Sequence, residues 1–211
     1  ATVLNIIAHP AKIGKQLRQL DAPKISGGLN MDVSGERLVR AGFQVEQNII
    51  VTGNGTGLTY LLRAAEQWLE AHVEAVNRLN VFPVPDGDTG TNMLLTMRAA
   101  LAQVDRSPDR TVGPVAAAMA HGALMGARGN SGVILSQFLQ GIAQRLAGAI
   151  SLTAGDWAEA CQMGVDRAYQ SVASPVEGTI LTVARAATAA AVRSVEDNNA
   201  DLGRLFREMV A

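Results

Sequence analysis

Cysteine is almost missing from this chain: Cys161 is the single one in 211 residues. One thiol cannot close an internal disulfide, and a lone cysteine in an apolar-periodic stretch reads as a small buried hydrophobe. The cytoplasm, where thiols stay reduced, is the compartment this suggests. Aromatic residues are equally scarce, at 4%. The core must therefore be built from Ala, Leu, Val, Ile and Met, and Ala and Leu are the best helix formers. No apolar run reaches the ~18 residues of a membrane span. Ala1 to Asn5 lack the basic and apolar regions of a signal peptide. The net charge of −1 leaves no basic footprint for nucleic acid. Lysine disappears after Lys24, and no Gly-Lys-Ser or Gly-Lys-Thr occurs, which excludes a P-loop. Charge at any bound phosphate has to be neutralised by metal, by Arg such as Arg128 or Arg185, or by helix N-termini. His9, His72 and His121 are scattered, and no pair has zinc-ligand spacing.

Apolar residues make up 48% of the chain, enough for a sizeable core in one domain with an appendage. Residues 1–52 carry β-leaning runs at Thr2–Ala8, Phe43–Val45 and Asn48–Thr52, punctuated by Gly27-Gly28 and Gly53-Asn54-Gly55. They read as a small extension with two or three strands. From about Thr56 the pattern is helical: Leu58, Leu61, Leu62, Ala65, Trp68, Leu69, His72, Val73 and Val76 recur at spacings of three and four. Further helical patterns open near Thr91 or Asn92 and run at roughly 112–125, 131–147, 154–172, 178–195 and 199–211. Six or seven amphipathic helices with short connections predict an all-α antiparallel bundle or barrel. Trp68 and Trp157 read as core anchors, His72 as a core or rim residue, and His121 as a packed helical histidine.

Three loops open helices. In the first, Pro83 and Pro85 force extended geometry on the approach to Asp86-Gly87-Asp88-Thr89-Gly90-Thr91-Asn92. Two carboxylates one glycine apart can turn toward one point, and hard oxygen ligands suit Mg²⁺, which takes its remaining ligands from water and phosphate. Thr91 or Asn92 can cap the following helix, whose N–H groups and dipole favour phosphate oxygens. An EF-hand reading fails, because the twelfth position counted from Asp86 is Met97 and not Glu. A plain Asx-rich turn is the competing reading. The second loop, Gly126-Ala127-Arg128-Gly129-Asn130-Ser131-Gly132, offers Ser131 as an N-cap and glycines that permit close backbone approach. Taken alone it is as well read as an ordinary helix connection. The third, Ser174 to Thr179, could bring Glu177 and Thr179 to metal-bound water or phosphate, or could be a solvated cap.

The run Asn77-Arg78-Leu79-Asn80-Val81-Phe82-Pro83-Val84-Pro85-Asp86-Gly87-Asp88-Thr89-Gly90-Thr91-Asn92-Met93 resembles the signature of the dihydroxyacetone kinase nucleotide-binding (DhaL-like) domain family. In detail it is similar to the form found in the ATP-binding subunit of bacterial fatty acid kinase. Gly122 to Gln137 and Pro175 to Val183 agree with the same family, so the resemblance covers roughly residues 56–211. It implies a helical barrel binding ATP or ADP with Mg²⁺ at one end. It implies Asp86 and Asp88 as metal ligands and catalytic residues, with Asn80 as a further oxygen ligand where relatives carry Asp. Thr89, Thr91, Asn92, Gly129, Asn130, Ser131 and Gly132 would surround the phosphates, with Met125 and Gly126 nearer the base and Thr179 close by.

The implied activity is transfer of the γ-phosphoryl group to a fatty acid carboxylate held by a lipid-binding partner protein. The alternatives are a dihydroxyacetone (glycerone) kinase subunit, working with a dihydroxyacetone-binding partner, and a non-catalytic nucleotide-binding regulatory module. A homodimer is the remaining partner expectation. On this reading residues 1–52 are an extension of unknown role and 53–211 the nucleotide-binding domain. Relatives continue beyond the equivalent of Ala211, so the barrel is expected to be incompletely closed. Apolar faces are then expected to be exposed near Leu202, Leu205, Phe206 and Val210.

Overall fold

The computed structural model describes residues 35–47, 49–80, 85–197 and 201–210. Its elements are α1 (Gly35–Arg40), β1 (Phe43–Glu46), β2 (Ile49–Gly53), α2 (Gly55–Leu79), α3 (Thr89–Arg106), α4 (Val112–Met125), α5 (Gly129–Arg145), α6 (Ala154–Gln170), α7 (Ile180–Glu196) and α8 (Leu202–Met209). The all-α architecture expected from the sequence is the one found, with a two-stranded antiparallel hairpin as its only described sheet. The expected strand at Thr2–Ala8 and the turn at Gly27-Gly28 lie outside the described residues, as do His9 and the stretch 81–84.

Helix starts follow local chemistry, though not always at the predicted residue. Asn54 caps α2, its Oδ1 accepting from the N–H groups of Thr56 at 2.9 Å and Gly57 at 3.2 Å. Thr153 and Asp156 form a reciprocal capping box on α6. By contrast α3 begins at Thr89, earlier than Thr91 or Asn92, with Asp88 in the capping position. Likewise α5 begins at Gly129 after Arg128, so Ser131 lies inside the helix and is not its cap.

Consecutive helices pack side by side from α2 to α8, and α3 also touches α5 while α2 touches α4. The central helix is α4, whose Ala-rich surface has no continuous polar face. It buries Val112, Val115, Ala116, Met119 and Ala123 against its three neighbours. Leu58, Leu62, Met97, Leu101, Val104, Leu139 and Ile142 are among the other members of this core. Fully burying each large side chain stabilises by about 1.5–3 kcal/mol. Cys161, on α6, is also buried, and burial pushes its thiol up to about 12, as expected for an unreactive packing residue.

A second, smaller core joins α6, α7, α8 and the hairpin. Ala154, Ala158, Ala191, Leu202 and Leu205 are buried in it, with Ile50 and Phe206 packed against them. Trp157 touches both cores and meets Phe206 edge-on at 5.5 Å. This corrects the expectation of an exposed C-terminal face. Leu202 and Leu205 are fully buried and Phe206 half-buried; Val210 alone of the four is exposed, at 81%. The cover comes from the hairpin and α6, elements remote in sequence. Gly53 and Leu152 exchange backbone hydrogen bonds at 2.9 and 2.7 Å, and the Ile50 N–H donates to Asp201 Oδ1 at 3.1 Å.

Candidate nucleotide and metal site

Two of the three helix-opening loops meet on α3. Gly87 sits at φ +68°, a conformation glycine adopts without strain, and it separates two exposed carboxylates, Asp86 and Asp88. Three residues later Gly90 is buried against α2, where a Cβ would stand 2.6 Å from the Val73 carbonyl oxygen. The loop enters α3 through this close contact.

The end of α2 holds the loop at two points. Asn77 Oδ1 accepts from Gly90 N–H at 2.7 Å and from Thr91 N–H at 3.2 Å, and Asn77 Nδ2 donates to Thr91 Oγ1 at 3.1 Å. One turn on, Asn80 Nδ2 donates to Asp86 Oδ1 at 2.5 Å. With Asn92 N–H bonded to Asp88 O at 2.8 Å, the first-turn donors of α3 from Gly90 to Asn92 are already satisfied by protein. They are therefore not the open phosphate donors that the sequence suggested. Asn77 was not singled out in the sequence. Its signal was a poor helix former three residues before Asn80, on the same helix face.

The open donors belong to α5. Arg128 makes no side-chain cap bond there. Among the described residues, the N–H groups of Gly129, Asn130 and Ser131 meet no protein acceptor; the first bond of the helix runs from Gly132 N–H to Arg128 O at 2.9 Å. Such a start favours an anion. Packing carries it to the carboxylate loop. Ser131 Oγ donates to Thr89 O at 3.3 Å, and Arg128 N–H donates to Thr96 Oγ1 at 3.3 Å. A Cβ at Gly132 would lie 2.5 Å from Thr96 Oγ1, and one at Gly126 would collide with Ala99 Cβ. Gly126 and Gly132 thus let the second loop lie directly on α3. Met125, beside them, is 74% exposed.

The third loop keeps its own company. Thr179 caps α7 locally, accepting from Leu181 N–H at 3.3 Å and donating to Val176 O at 2.8 Å. Glu177 takes both Arg185 nitrogens at 2.9 and 2.6 Å, the Thr182 hydroxyl at 2.7 Å and the Tyr169 hydroxyl at 3.3 Å. Arg185 also stands 5.6 Å over the Tyr169 ring. The Thr182 hydroxyl, followed by the Arg185 guanidinium, holds the Glu177 carboxyl below its ordinary range. Arg185 is thereby engaged, while Arg128 is exposed beside the open donors. No hydrogen bond or ion pair among the described residues joins this loop to the other two.

The histidines stand apart. His72 is buried, its Nδ1 2.7 Å from Trp68 O and its ring stacked on Trp68 at 4.1 Å. His121 is exposed, which corrects its reading as a packed residue, and lines an open depression of about 490 Å³ with Gln140 and Arg167.

The donor set fits a hard divalent cation shared with a ligand. Asp86 and Asp88 supply carboxylate oxygens, with amide and hydroxyl oxygens adjacent. Among the described residues no cluster of three or more His, Cys, Asp or Glu side chains could hold a metal alone. Mg²⁺ characteristically binds through one or two carboxylates and completes its shell with water and phosphate.

A family model described as the DAK2 domain matches residues 83–211, a span that includes both loops. Protein YloV of Bacillus subtilis is 48% identical over 136 residues, 64% of this chain and 25% of that protein. Uncharacterized protein SSP1546 of Staphylococcus saprophyticus is 47% identical over 133 residues, covering 63% and 24%. Uncharacterized protein SH1689 of Staphylococcus haemolyticus is 43% identical over 146 residues, covering 69% and 26%. The chain spans about a quarter of the length of these curated relatives.

Proposed function

The chain belongs to the DAK2 domain family, a kinase-related family of nucleotide-binding domains, and on that premise we propose that it binds Mg–ATP for phosphoryl transfer to a fatty acid carboxylate presented by a lipid-binding partner. The observation that carries this reading is the seating of the open α5 N-terminus against the carboxylate loop, through Ser131 and Thr89. Phosphate oxygens between them would meet the Gly129, Asn130 and Ser131 N–H groups on one side. On the other they would meet a cation held by Asp86 and Asp88. When bound, the cation would neutralise charge on the transferring phosphoryl group. Thr89, Thr91 and Asn92 would line the phosphates, Met125 and Gly126 the base, and Arg128 would supply the mobile positive charge that lysine supplies elsewhere. Thr179 would join only on the far side of the ligand. The cytoplasm, where ATP is available, is the compartment of this reading.

The acceptor follows from what the site holds. Transfer to a hydroxyl gains from a general base, whereas a carboxylate is already a nucleophile. Neither described histidine bonds to the two loops: His72 is engaged with Trp68, and His121 lies in the depression over α4 and α5. This favours a carboxylate over dihydroxyacetone.

Calorimetry with Mg–ATP tests the binding step. Heat is expected from the 211-residue chain and none after Asp86→Ala with Asp88→Ala; equal heats would overturn the reading. Turnover with a fatty-acid-loaded partner, set against a dihydroxyacetone-loaded one, separates the acceptors, and binding without turnover on either leaves a regulatory module.

A further inference from the structure

Asn77 and Asn80 stand one helical turn apart at the end of α2 and grip opposite ends of the carboxylate loop. Asn77 holds the α3 start through Gly90 and Thr91, and Asn80 holds Asp86. The segment from Asp86 to Thr91 is thus stapled across its span to one turn of a single rigid helix. Asn77 is the stricter of the two. Its Oδ1 satisfies two backbone donors at once, at 2.7 and 3.2 Å. The contact is tightened because Gly90, the residue it holds, leaves no room for a Cβ against Val73 O.

Resting on the metal–nucleotide reading above, we propose that Asn77 is the positioning residue of the site, setting the geometry of Asp86 and Asp88 and thereby the affinity for a divalent cation. It does so without touching cation or nucleotide. Without the Asn77 carbonyl oxygen, the Gly90 and Thr91 N–H groups would turn to water or to each other's neighbours, and the loop would sample orientations in which only one carboxylate faces the ligand. Outer partners of metal ligands commonly govern affinity by about 10–100-fold. The chemistry needed at position 77 is an acceptor at this reach. Aspartate provides one and adds a negative charge that favours both the α3 dipole and a nearby cation.

The experiment measures Mn²⁺ affinity by electron paramagnetic resonance in the presence of saturating ADP, for the 211-residue chain and for Asn77→Ala and Asn77→Asp. Amide hydrogen exchange is recorded on the same proteins. Asn77→Ala is expected to weaken Mn²⁺ binding by about tenfold or more and to speed exchange at Gly90 and Thr91 while the middle of α3 stays protected. Asn77→Asp is expected to restore both properties to the parent's level or better. If the parent binds Mn²⁺ and Asn77→Ala stays within twofold of it, this inference falls while the site reading stands. If the parent binds no Mn²⁺, or binds it equally after Asp86→Ala with Asp88→Ala, the site reading falls and takes the inference with it. Should Asn77→Ala fail to fold, Asn77→Asp decides alone: a tenfold loss there overturns the inference.

Discussion

Gly129 lies against the side-chain amide of Asn92, so closely that a methyl group on Gly129 would collide with Asn92 Nδ2. It is held at φ +56° as it does so. Together with the Ser131 hydroxyl on Thr89 O, this contact joins the start of α5 to the start of α3.

Gly129→Ala is expected to suffer twice. Left-handed backbone costs an L residue about 1–2 kcal/mol, and the collision with Asn92 adds to it by pushing α5 off α3. Gly148 is the control: it has φ +76° but nothing within 4 Å of its would-be Cβ. Gly148→Ala should lose stability by the backbone cost alone and keep nucleotide affinity. Gly129→Ala should lose more stability and most of its Mg–ATP affinity. Thermal unfolding and calorimetry on both variants check the difference; equal behaviour would count against the loop contact as the organiser of the site.

Metal and nucleotide should bind as one unit. The ligands proposed for the cation are two carboxylates with neighbouring neutral oxygens, and among the described residues these fall short of a self-sufficient cage. Mg²⁺ alone is therefore expected to bind weakly, with ATP raising its affinity at least about tenfold, and reciprocally. Titrating Mg²⁺ with and without ATP measures the coupling, and tight binding without nucleotide would contradict it.

The Glu177 network predicts a pH response with a definite sign. Its folded-state carboxyl is held low, first by the Thr182 hydroxyl and then by Arg185. Its stabilising contribution is present above the ordinary carboxylate value of 4.5 and is lost as pH falls through the lower folded value. The side chain is 48% exposed, so the effect is small, about 1–3 °C in Tm. Glu177→Gln should melt below the parent at pH 7, and the gap should close on acidification. A gap that widens below pH 4.5 would reverse the sign.

Thr188 is 1% exposed, and among the described residues its hydroxyl has no hydrogen-bond partner. A buried polar group left unpaired destabilises a fold, and replacing it with an apolar group of the same shape removes that penalty. Thr188→Val is expected to raise stability by on the order of 1 kcal/mol, or roughly 3 °C in Tm. Calorimetric unfolding checks it, and a fall in Tm would mean that the hydroxyl has a partner in solution.

The helices were legible in the sequence because the information is local. Apolar residues recur at three and four along α2, and glycine and proline mark the breaks before α3 and α7. The loop of paired carboxylates was legible for the same reason: Asp86, Gly87 and Asp88 are adjacent, and only glycine relaxes at φ +68° between them. Helix starts were read less well. Local capping rules favoured Thr91, Asn92 and Ser131, but α3 is capped from another helix by Asn77, and α5 has no side-chain cap. An interaction between residues thirteen positions apart leaves no periodic trace.

The sequence by itself determined the helical architecture, the lone thiol at Cys161 and the pairing of two carboxylates around Gly87, since each depends on composition or on neighbours in the chain. Tertiary structure decided which donors are free and which faces are covered. It satisfied the α3 donors from Gly90 to Asn92 and, among the described residues, left the first donors of α5 without a protein acceptor. It drew two of the three loops together through glycines that admit no Cβ, while tying the third to Arg185 and Tyr169. It also buried Leu202 and Leu205 beneath a hairpin some 150 residues earlier in the chain. The physical reason is common to all of these: hydrogen-bond satisfaction and burial are properties of pairs, and the pairs form only when distant segments pack.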